Sequence, residues 1–322
     1  MNIVSLFSGA GGLDLGLMQA GHKMVWANDF DADAVRTYKH NIDSVIMHAD
    51  INNVSVDDIP AADAIVGGFP CQGFSLANMN RNVDDERNQL YKAFCRIVSE
   101  KKPNYFVAEN VKGILSLGGG AVIEHIKNEF ERIGYRVNVH SLNLADYGIP
   151  QTRQRVLILG QRKDLGPQIS FSAPAPTHSR NGYPLPWVSI KEAIDRFPSP
   201  DEPNTVLNHT CSAYKVAYRN FTGHRMTDPD KPSPTILARG NGKGGVCAIP
   251  HYNGERRLTI RESAAVQTFP DDFEFFGGLG SCYRQIGNAV PVAFGKLIGN
   301  ELFKAEKLLN AESSYYEDRI AI

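Results

Sequence analysis

"IVSLFSGAGGLDLGLMQAG", residues 3 to 21, runs from an apolar stretch through a cluster of glycines into an amphipathic one. "IVSLF" (3–7) has the β-branched, apolar character of a buried strand, and "GGLDLGLMQAG" reads as a helix closed by Gly21. Between them "FSGAGG" supplies glycines that permit a tight turn and let a ligand approach the backbone. The helix N-terminus that follows favours electronegative groups. The spacing approaches the dinucleotide fingerprint G-x-G-x-x-G without matching it, and a plain strand-to-helix turn has the same look.

The alternation continues down the chain. "KMVWAND", "SVIMHAD", "DAIVGGF", "NYFVAEN", "YRVNVHSLNL" and "RVLILGQR" read as strands. "DADAVRTYKHN", "ERNQLYKAFCRIVSEKK" and "AVIEHIKNEFERIG" read as helices, with Leu90, Phe94, Ile97 and Val98 at helical spacing in the second. This rhythm predicts an α/β fold built on a doubly wound, mostly parallel sheet. After about residue 165 proline, glycine and serine dominate, and short strands with many turn residues follow to about residue 255. "AFGKLIGNELFKAEKLLNAE" is again an amphipathic helix, able to pack back on the first-half sheet. The expected organisation is two domains: 1–168 with 276–322, and a smaller, mainly β or irregular domain at 169–275.

The 322 residues suffice for a sizeable core, and no apolar run approaches the roughly 20 residues of a membrane span. "MNIVSLFSGAGG" lacks the basic start and long apolar stretch of a signal peptide, so a cytoplasmic protein with reduced thiols is expected. Cys71, Cys95, Cys211, Cys247 and Cys282 form no C-x-x-C pair, which argues against a zinc site and a disulfide framework. The net charge of −1 hides an asymmetry. Residues 1 to 70 carry nine aspartates against Lys23, Arg36 and Lys39. Residues 211 to 261 carry Lys215, Arg219, Arg225, Lys231, Arg239, Lys243, Arg256, Arg257 and Arg261 against three acids. Such a split suits a protein whose second half faces a polyanion, although two solvated surfaces give the same count.

In an open α/β sheet, ligands bind beyond the carboxyl ends of the strands. Asp29 and Asp50 end the second and third strands there. Asp29 can accept from ribose hydroxyls, Asp50 from an adenine amino group, and Phe30 offers a ring to stack on. Either aspartate can equally be a helix N-cap. With the glycine loop they favour an adenosine-containing cofactor. Cys71 follows the fourth strand in "DAIVGGFPC", and Glu109 ends the fifth in "VAENV". Arg153 and Arg155 stand two apart in "QTRQRV", on one side if extended. Nearby cations lower a thiol pKa, and a glutamate can act as acid or hydrogen-bond donor, so this edge reads as that of a nucleophilic cysteine enzyme. A Cys–His hydrolase is disfavoured, because His48 is the one histidine in these strand-end segments. A nicotinamide oxidoreductase would require the full glycine fingerprint and leave Cys71 without a role.

These blocks together resemble the DNA cytosine-5 methyltransferases of bacterial restriction–modification systems. "LFSGAGGLDLGL" is similar to the family's cofactor loop and "GGFPCQGFS" to its Pro-Cys signature; "DDERNQLYKAF", "AENVKG", "DYGIPQTRQRV", "RRLTIRESAAVQTFPDDF" and "YRQIGNAVPV" match later motifs in order. The resemblance covers nearly the whole chain and implies a Rossmann-like, class I methyltransferase fold using S-adenosylmethionine and releasing S-adenosylhomocysteine, with no metal. It implies a cofactor site of Phe7, Gly9, Ala10, Gly11, Gly12, Leu13, Asp29, Phe30, Asp50, Ile51, Pro70, Leu90, Asn288 and Ala289. Where this chain has Asp29, the family often has glutamate. Cys71 would attack cytosine C6, Glu109 would hold and protonate N3, and Arg155, with Arg153 beside it, would serve O2.

The target base must leave the duplex for this chemistry. Residues 72–88 are polar and suit a loop closing on DNA, with Gln72, Ser75, Arg81 and Arg87 as candidate contacts. Arg225, Thr235, Arg239, Lys243 and Arg257 are candidates in the basic region, where "SPTILA" resembles the family's threonine–hydrophobic element. The expected partner is double-stranded DNA carrying a short specific site, bound by a monomer working alongside a restriction endonuclease. A tRNA cytosine-5 methyltransferase of the same family is the nearest alternative.

Overall fold

Seven strands form one sheet in a computed structural model that describes residues 1–69, 89–167, 170–211, 227–238 and 249–320, the side chains of residues 89 and 312–320 excepted. They are β1 (Asn2–Leu6), β2 (Lys23–Asp29), β3 (Ile46–His48), β4 (Ala64–Gly67), β5 (Tyr105–Val111), β6 (Tyr135–Asn143) and β7 (Gln154–Arg162), in the spatial order β3-β2-β1-β4-β5-β7-β6. The first five run parallel, while β7 is antiparallel to both β5 and β6. Residues 144–153, between β6 and β7, are too few for a crossover, so β7 folds back beside β6. The mostly parallel α/β architecture expected from the sequence is what the chain adopts.

The parallel strands are apolar on both faces, as strands covered by helices must be. One face carries Val4, Leu6, Ile65, Phe106, Val156 and Ile158, covered by Phe94 and Ile97 of α3 (Gln89–Lys101) and by Ile126 and Phe130 of α4 (Ala121–Arg132). The other carries Ile3, Val66, Val107, Leu157 and Leu159, against Leu13 and Leu17 of α1 (Gly12–Gln19) and Phe294, Ile298 and Leu302 of the C-terminal α8 (Val292–Ile320). Each such buried side chain contributes roughly 1.5–3 kcal/mol. The two helices of this second face touch backbone to backbone: a Cβ on Gly16 would lie 2.3 Å from the Val292 oxygen. That contact brings the chain's end back to its first helix. No helix among the described residues is long and apolar enough to cross a membrane.

α2 (Ala32–Asn41) packs Val35 and Tyr38 against Ala27 and Ile46. Asp31 caps it, accepting from the backbone N–H of Asp33 and Ala34 at 3.0 and 3.3 Å. Beyond the sheet lies a third apolar cluster, formed by α5 (Ile190–Ile194), α6 (Ile260–Val266) and α7 (Leu279–Asn288) with Ile236, Phe269, Phe273 and Phe275. Ala10 of the glycine loop belongs to this cluster, so the loop is supported from both sides.

Candidate active site

The carboxyl edge of the sheet gathers most of the described sequence-predicted residues. Past β1 the backbone turns through Phe7 at φ 56°, Gly9 at 56° and Gly11 at 89° before α1 begins. Two contacts fix this turn: Ser8 N–H donates to the Asn28 carbonyl at 2.9 Å, and Gly9 N–H donates to Asp29 Oδ2 at 2.8 Å. The other Asp29 oxygen accepts from Asp31 N–H at 2.8 Å. Burial pushes the Asp29 carboxyl up from its ordinary value, partly offset by these backbone donors. Asp29 therefore locks the end of β2 to the glycine loop and keeps lone pairs for a further donor. Next to it the Phe30 ring is 73 % exposed, an unusual position for so large an apolar side chain. A Cβ at Gly9 would meet nothing within 4 Å, so the loop presents open space there. Asp50 is exposed and caps the turn Ile51–Asn53 through Asn52 N–H at 3.0 Å. The cap and acceptor readings of Asp50 are thus compatible. Ile51, Leu13 and Ala289 are buried, Leu90 packs partly buried on the α3 face, and Asn288 is exposed at the end of α7. Gly12 abuts the segment after α7, where a Cβ would sit 2.4 Å from the Val290 oxygen.

These residues fit an adenosylated sulfonium donor: an open glycine-lined turn, an exposed ring and two acidic acceptors at neighbouring strand ends. Pro70 and Cys71 lie outside the described residues, as do Gln72, Ser75, Arg81, Arg87, Arg225, Arg239 and Lys243. The chain arrives at them through Gly67 and Gly68, and a Cβ on Gly68 would lie 3.1 Å from Glu109 Oε2. A side chain at position 68 would crowd that carboxylate.

Glu109 and Arg155 form the site's ion pair, with Arg155 Nε 2.5 Å from Glu109 Oε1. Register explains it. Glu109 pairs with Leu157 and Val111 with Arg155 across β5 and β7. Residues 107, 109, 155 and 157 therefore share one face, and the two charged side chains meet diagonally. Asn110, on the opposite parity, donates from Nδ2 to the Phe69 carbonyl at 2.9 Å and ties the end of β4 to β5. Nothing in the sequence marks it beyond its place after Glu109.

Arg153 stands elsewhere. It is 1 % exposed, and its guanidinium donates to the carbonyls of Ile236, Gly287 and Ala289 at 2.9, 2.9 and 3.1 Å. Burial, with Arg155 nearby, pulls it down to about 9. Its contacts are structural rather than directed at Glu109. Thr235 gives its hydroxyl proton to the Thr152 carbonyl at 2.7 Å, and Arg257 is 4 % exposed, enclosed by protein.

The charge count for residues 211–261 needs a correction on the same grounds. Arg256 forks onto Glu262 with two bonds of 2.7 Å, and Lys231 pairs with Asp228. Arg261 is fully buried, donating to the carbonyls of Leu207, Pro270 and Phe273. Arginines that serve internal acceptors are indistinguishable in sequence from those that meet a polyanion.

Cys95, Cys211 and Cys282 are free thiols, and burial pushes each of them up, Cys95 to about 12. Cys95 and Cys282 lack the cationic, accessible setting of a reactive thiol, and at Cys211 burial outweighs the pull of Arg256 and Arg257. Among the described residues no group of histidine, cysteine, aspartate and glutamate could hold a metal ion.

The family model for C-5 cytosine-specific DNA methylases matches residues 1–231 and 203–304. Type II methyltransferase M.NgoFVII of Neisseria gonorrhoeae is 41% identical over 314 residues, spanning 90% of this chain and 83% of that protein. Among solved structures, a protein assigned as a DNA modification methyltransferase encoded within an E. coli prophage superposes with a TM-score of 0.75 at 26% identity, covering 95% of this chain and 99% of that one. The S. pombe Dnmt2 methyltransferase superposes with a TM-score of 0.71 at 20% identity, covering 94% and 99%, a likeness of fold.

Proposed function

Because the chain belongs to the C-5 cytosine-specific DNA methylase family, we propose that it methylates C5 of a cytosine flipped out of a short duplex site, with Cys71 as nucleophile. The chain is then the protective methyltransferase of a restriction–modification pair, and residues 169–275 form its target-recognition unit. The observation that carries the reading is the Glu109–Arg155 pair, held beside Gly68 where the chain leaves β4 for Pro70 and Cys71.

S-adenosylmethionine supplies an electrophilic methyl group when bound. Phe7, Gly9, Gly11 and Leu13 would line it, Asp29 would take the ribose, Phe30 the adenine face, Asp50 its amino group, and Pro70, Leu90 and Asn288 its remaining edges. Cytosine C5 is a weak nucleophile, so the ring must first be activated. The Cys71 thiolate adds to C6, and Glu109 holds and protonates N3 to receive the displaced electron pair. C5 thereby gains enamine character. Arg155 neutralises charge at O2 while keeping Glu109 in place. Once C5 carries the methyl group, its proton leaves to a base, the C5–C6 double bond re-forms as the thiolate departs, and N3 returns its proton to Glu109. Residues 72–88 would be the part of the chain that closes on the DNA.

The test is bisulfite sequencing of plasmid DNA from cells expressing the protein, with labelled methyl transfer to DNA and to tRNA measured in parallel. Conversion-resistant cytosines in one short sequence context are expected, with none in cells carrying Cys71→Ser. Uniformly convertible DNA, or label entering tRNA alone, would overturn the reading.

A further inference from the structure

Alternate residues of the segment before β7 do different work. Gln151, Arg153 and Arg155 stand at a spacing of two. Arg155 meets the catalytic carboxylate, whereas Gln151 and Arg153 hold another part of the chain. Gln151 Oε1 accepts from Ile236 N–H at 2.9 Å, and Arg153 Nη1 donates to the Ile236 carbonyl at 2.9 Å. Both backbone groups of Ile236 are thus held by side chains from one short stretch. Gln151 Nε2 also donates to Gln267 Oε1 at 2.8 Å, and Gln267 Nε2 donates to the carbonyls of Ile286 and Ala289 at 2.6 and 3.1 Å. The Ala289 carbonyl is shared with Arg153. Gln151 and Gln267 are wholly buried.

Four segments distant in sequence therefore meet in one polar joint: 150–155, 233–238, Gln267 at the end of α6, and 286–289. Its rim is tied as well, since Ser233 N–H donates to the Pro150 carbonyl at 2.9 Å and Thr152 Oγ1 to the Ser233 carbonyl at 3.2 Å. A Cβ on Gly287 would lie 2.3 Å from the Leu237 carbonyl carbon, so glycine is required for this approach. What the joint presents is Leu237: Ile236 is buried, and the next side chain is 45 % exposed. An unpaired buried amide is costly, so a polar joint of this kind tolerates one register and penalises its neighbours.

We propose that Gln151 and Arg153 are positioning residues for target engagement: they set Ser233–Ala238, with exposed Leu237, in fixed register to the Glu109–Arg155 pair. The proposal rests on the DNA methyltransferase reading above. Neither residue touches the reacting atoms. They act through the Ile236 backbone, and they make the placement of the target-facing segment and of Arg155 a single geometric unit.

The test uses full-length protein, unmethylated plasmid DNA and tritiated S-adenosylmethionine, with cofactor affinity measured separately by calorimetry without DNA. Gln151→Ala strands Ile236 N–H, and the KM for DNA should rise about tenfold, with cofactor affinity within about twofold of the parent. Bisulfite reads of the same plasmid should show methylation spreading to near-matching sequences. Thr152→Val removes one hydroxyl at the half-buried rim and keeps the fold measurable should Gln151→Ala not fold; its KM for DNA should rise about threefold. Unchanged KM for DNA and unchanged site choice in a folded variant would overturn the proposal. So would cofactor affinity falling by the same factor as DNA affinity, which marks general loosening of the site. The parent enzyme is the separate check on the function itself, since its failure to methylate the plasmid overturns that reading and not the joint.

Discussion

Arg155 Nε lies 2.5 Å from Glu109 Oε1, and the two side chains are only 11% and 12% exposed. Removing one partner of so enclosed a pair leaves the other short of compensation, at a cost of roughly 3 kcal/mol. Glu109→Gln keeps the shape but loses the charge that pairs with Arg155 and the carboxyl group proposed to serve N3. Single-turnover methyl transfer should fall about a hundredfold or more. Adding Arg155→Ala should cost far less than it does alone, because contacting residues are not additive. A Glu109→Gln rate within threefold of the parent would remove the carboxylate from the chemistry.

Gly9 and Gly16 separate binding from folding within one motif. A Cβ at Gly9 has open space but a φ of 56°, so Gly9→Ala should lose about 1 kcal/mol of stability. That methyl group projects into the proposed cofactor space, so affinity for S-adenosylmethionine should drop about tenfold. At Gly16 the added Cβ would lie 2.3 Å from the Val292 oxygen and 2.5 Å from the Lys296 nitrogen, which are backbone atoms of α8. Gly16→Ala should therefore destabilise by roughly 3 kcal/mol, with cofactor affinity preserved in the folded fraction. Urea midpoints and calorimetry together distinguish the two. Equal loss of affinity in both variants would refute the assignment of the open turn.

Glu262 tests the reassigned arginines. Its carboxylate takes both Arg256 nitrogens at 2.7 Å and the Thr259 N–H at 2.8 Å, closing the capping box of α6. Glu262→Ala should destabilise by roughly 3–5 kcal/mol, because it strands a half-enclosed guanidinium and removes the cap together. If Arg256 served DNA instead, Arg256→Met would weaken DNA binding at unchanged stability. The expected result is the reverse.

The strands and helices were legible because burial writes itself into spacing. Val4 and Leu6 alternate with Ile3 and Ser5 across the sheet, and Phe94, Ile97 and Val98 recur at helical intervals. Asp29 and Glu109 could be picked out for a second reason, since each lies near the carboxyl end of a strand on the ligand edge, and Asp50 follows β3 on the same edge. Buried polar side chains carry no such mark. Gln151, Gln267 and Arg261 read like surface residues, and only the folded chain brings the carbonyls they satisfy within reach. For the same reason a spacing of two placed Arg153 and Arg155 together but could not tell the arginine that holds backbone carbonyls from the one that pairs with Glu109.

Asp14 gives the glycine loop a pH-dependent foundation. Fully buried, it accepts from Ser5 Oγ at 2.7 Å and Tyr38 Oη at 2.9 Å. Burial pushes its carboxyl from 3.8 up to about 6, against the pull of those hydroxyls. In the unfolded chain the group titrates near the ordinary value, so between about pH 4 and 6 the folded state holds a proton that the unfolded state has released. The resulting stability is fully present below pH 4 and lost as pH rises through 6. Between pH 4.5 and 7.5 the loss from this group amounts to about 2 kcal/mol. Asp14→Asn removes the titration and keeps partners for both hydroxyls, which can turn to suit the amide. Relative to the parent, it should therefore gain about 2 kcal/mol in unfolding free energy on going from pH 4.5 to pH 7.5. Urea denaturation at the two pH values measures that difference, and parallel profiles for the two proteins would show that Asp14 does not titrate in this window.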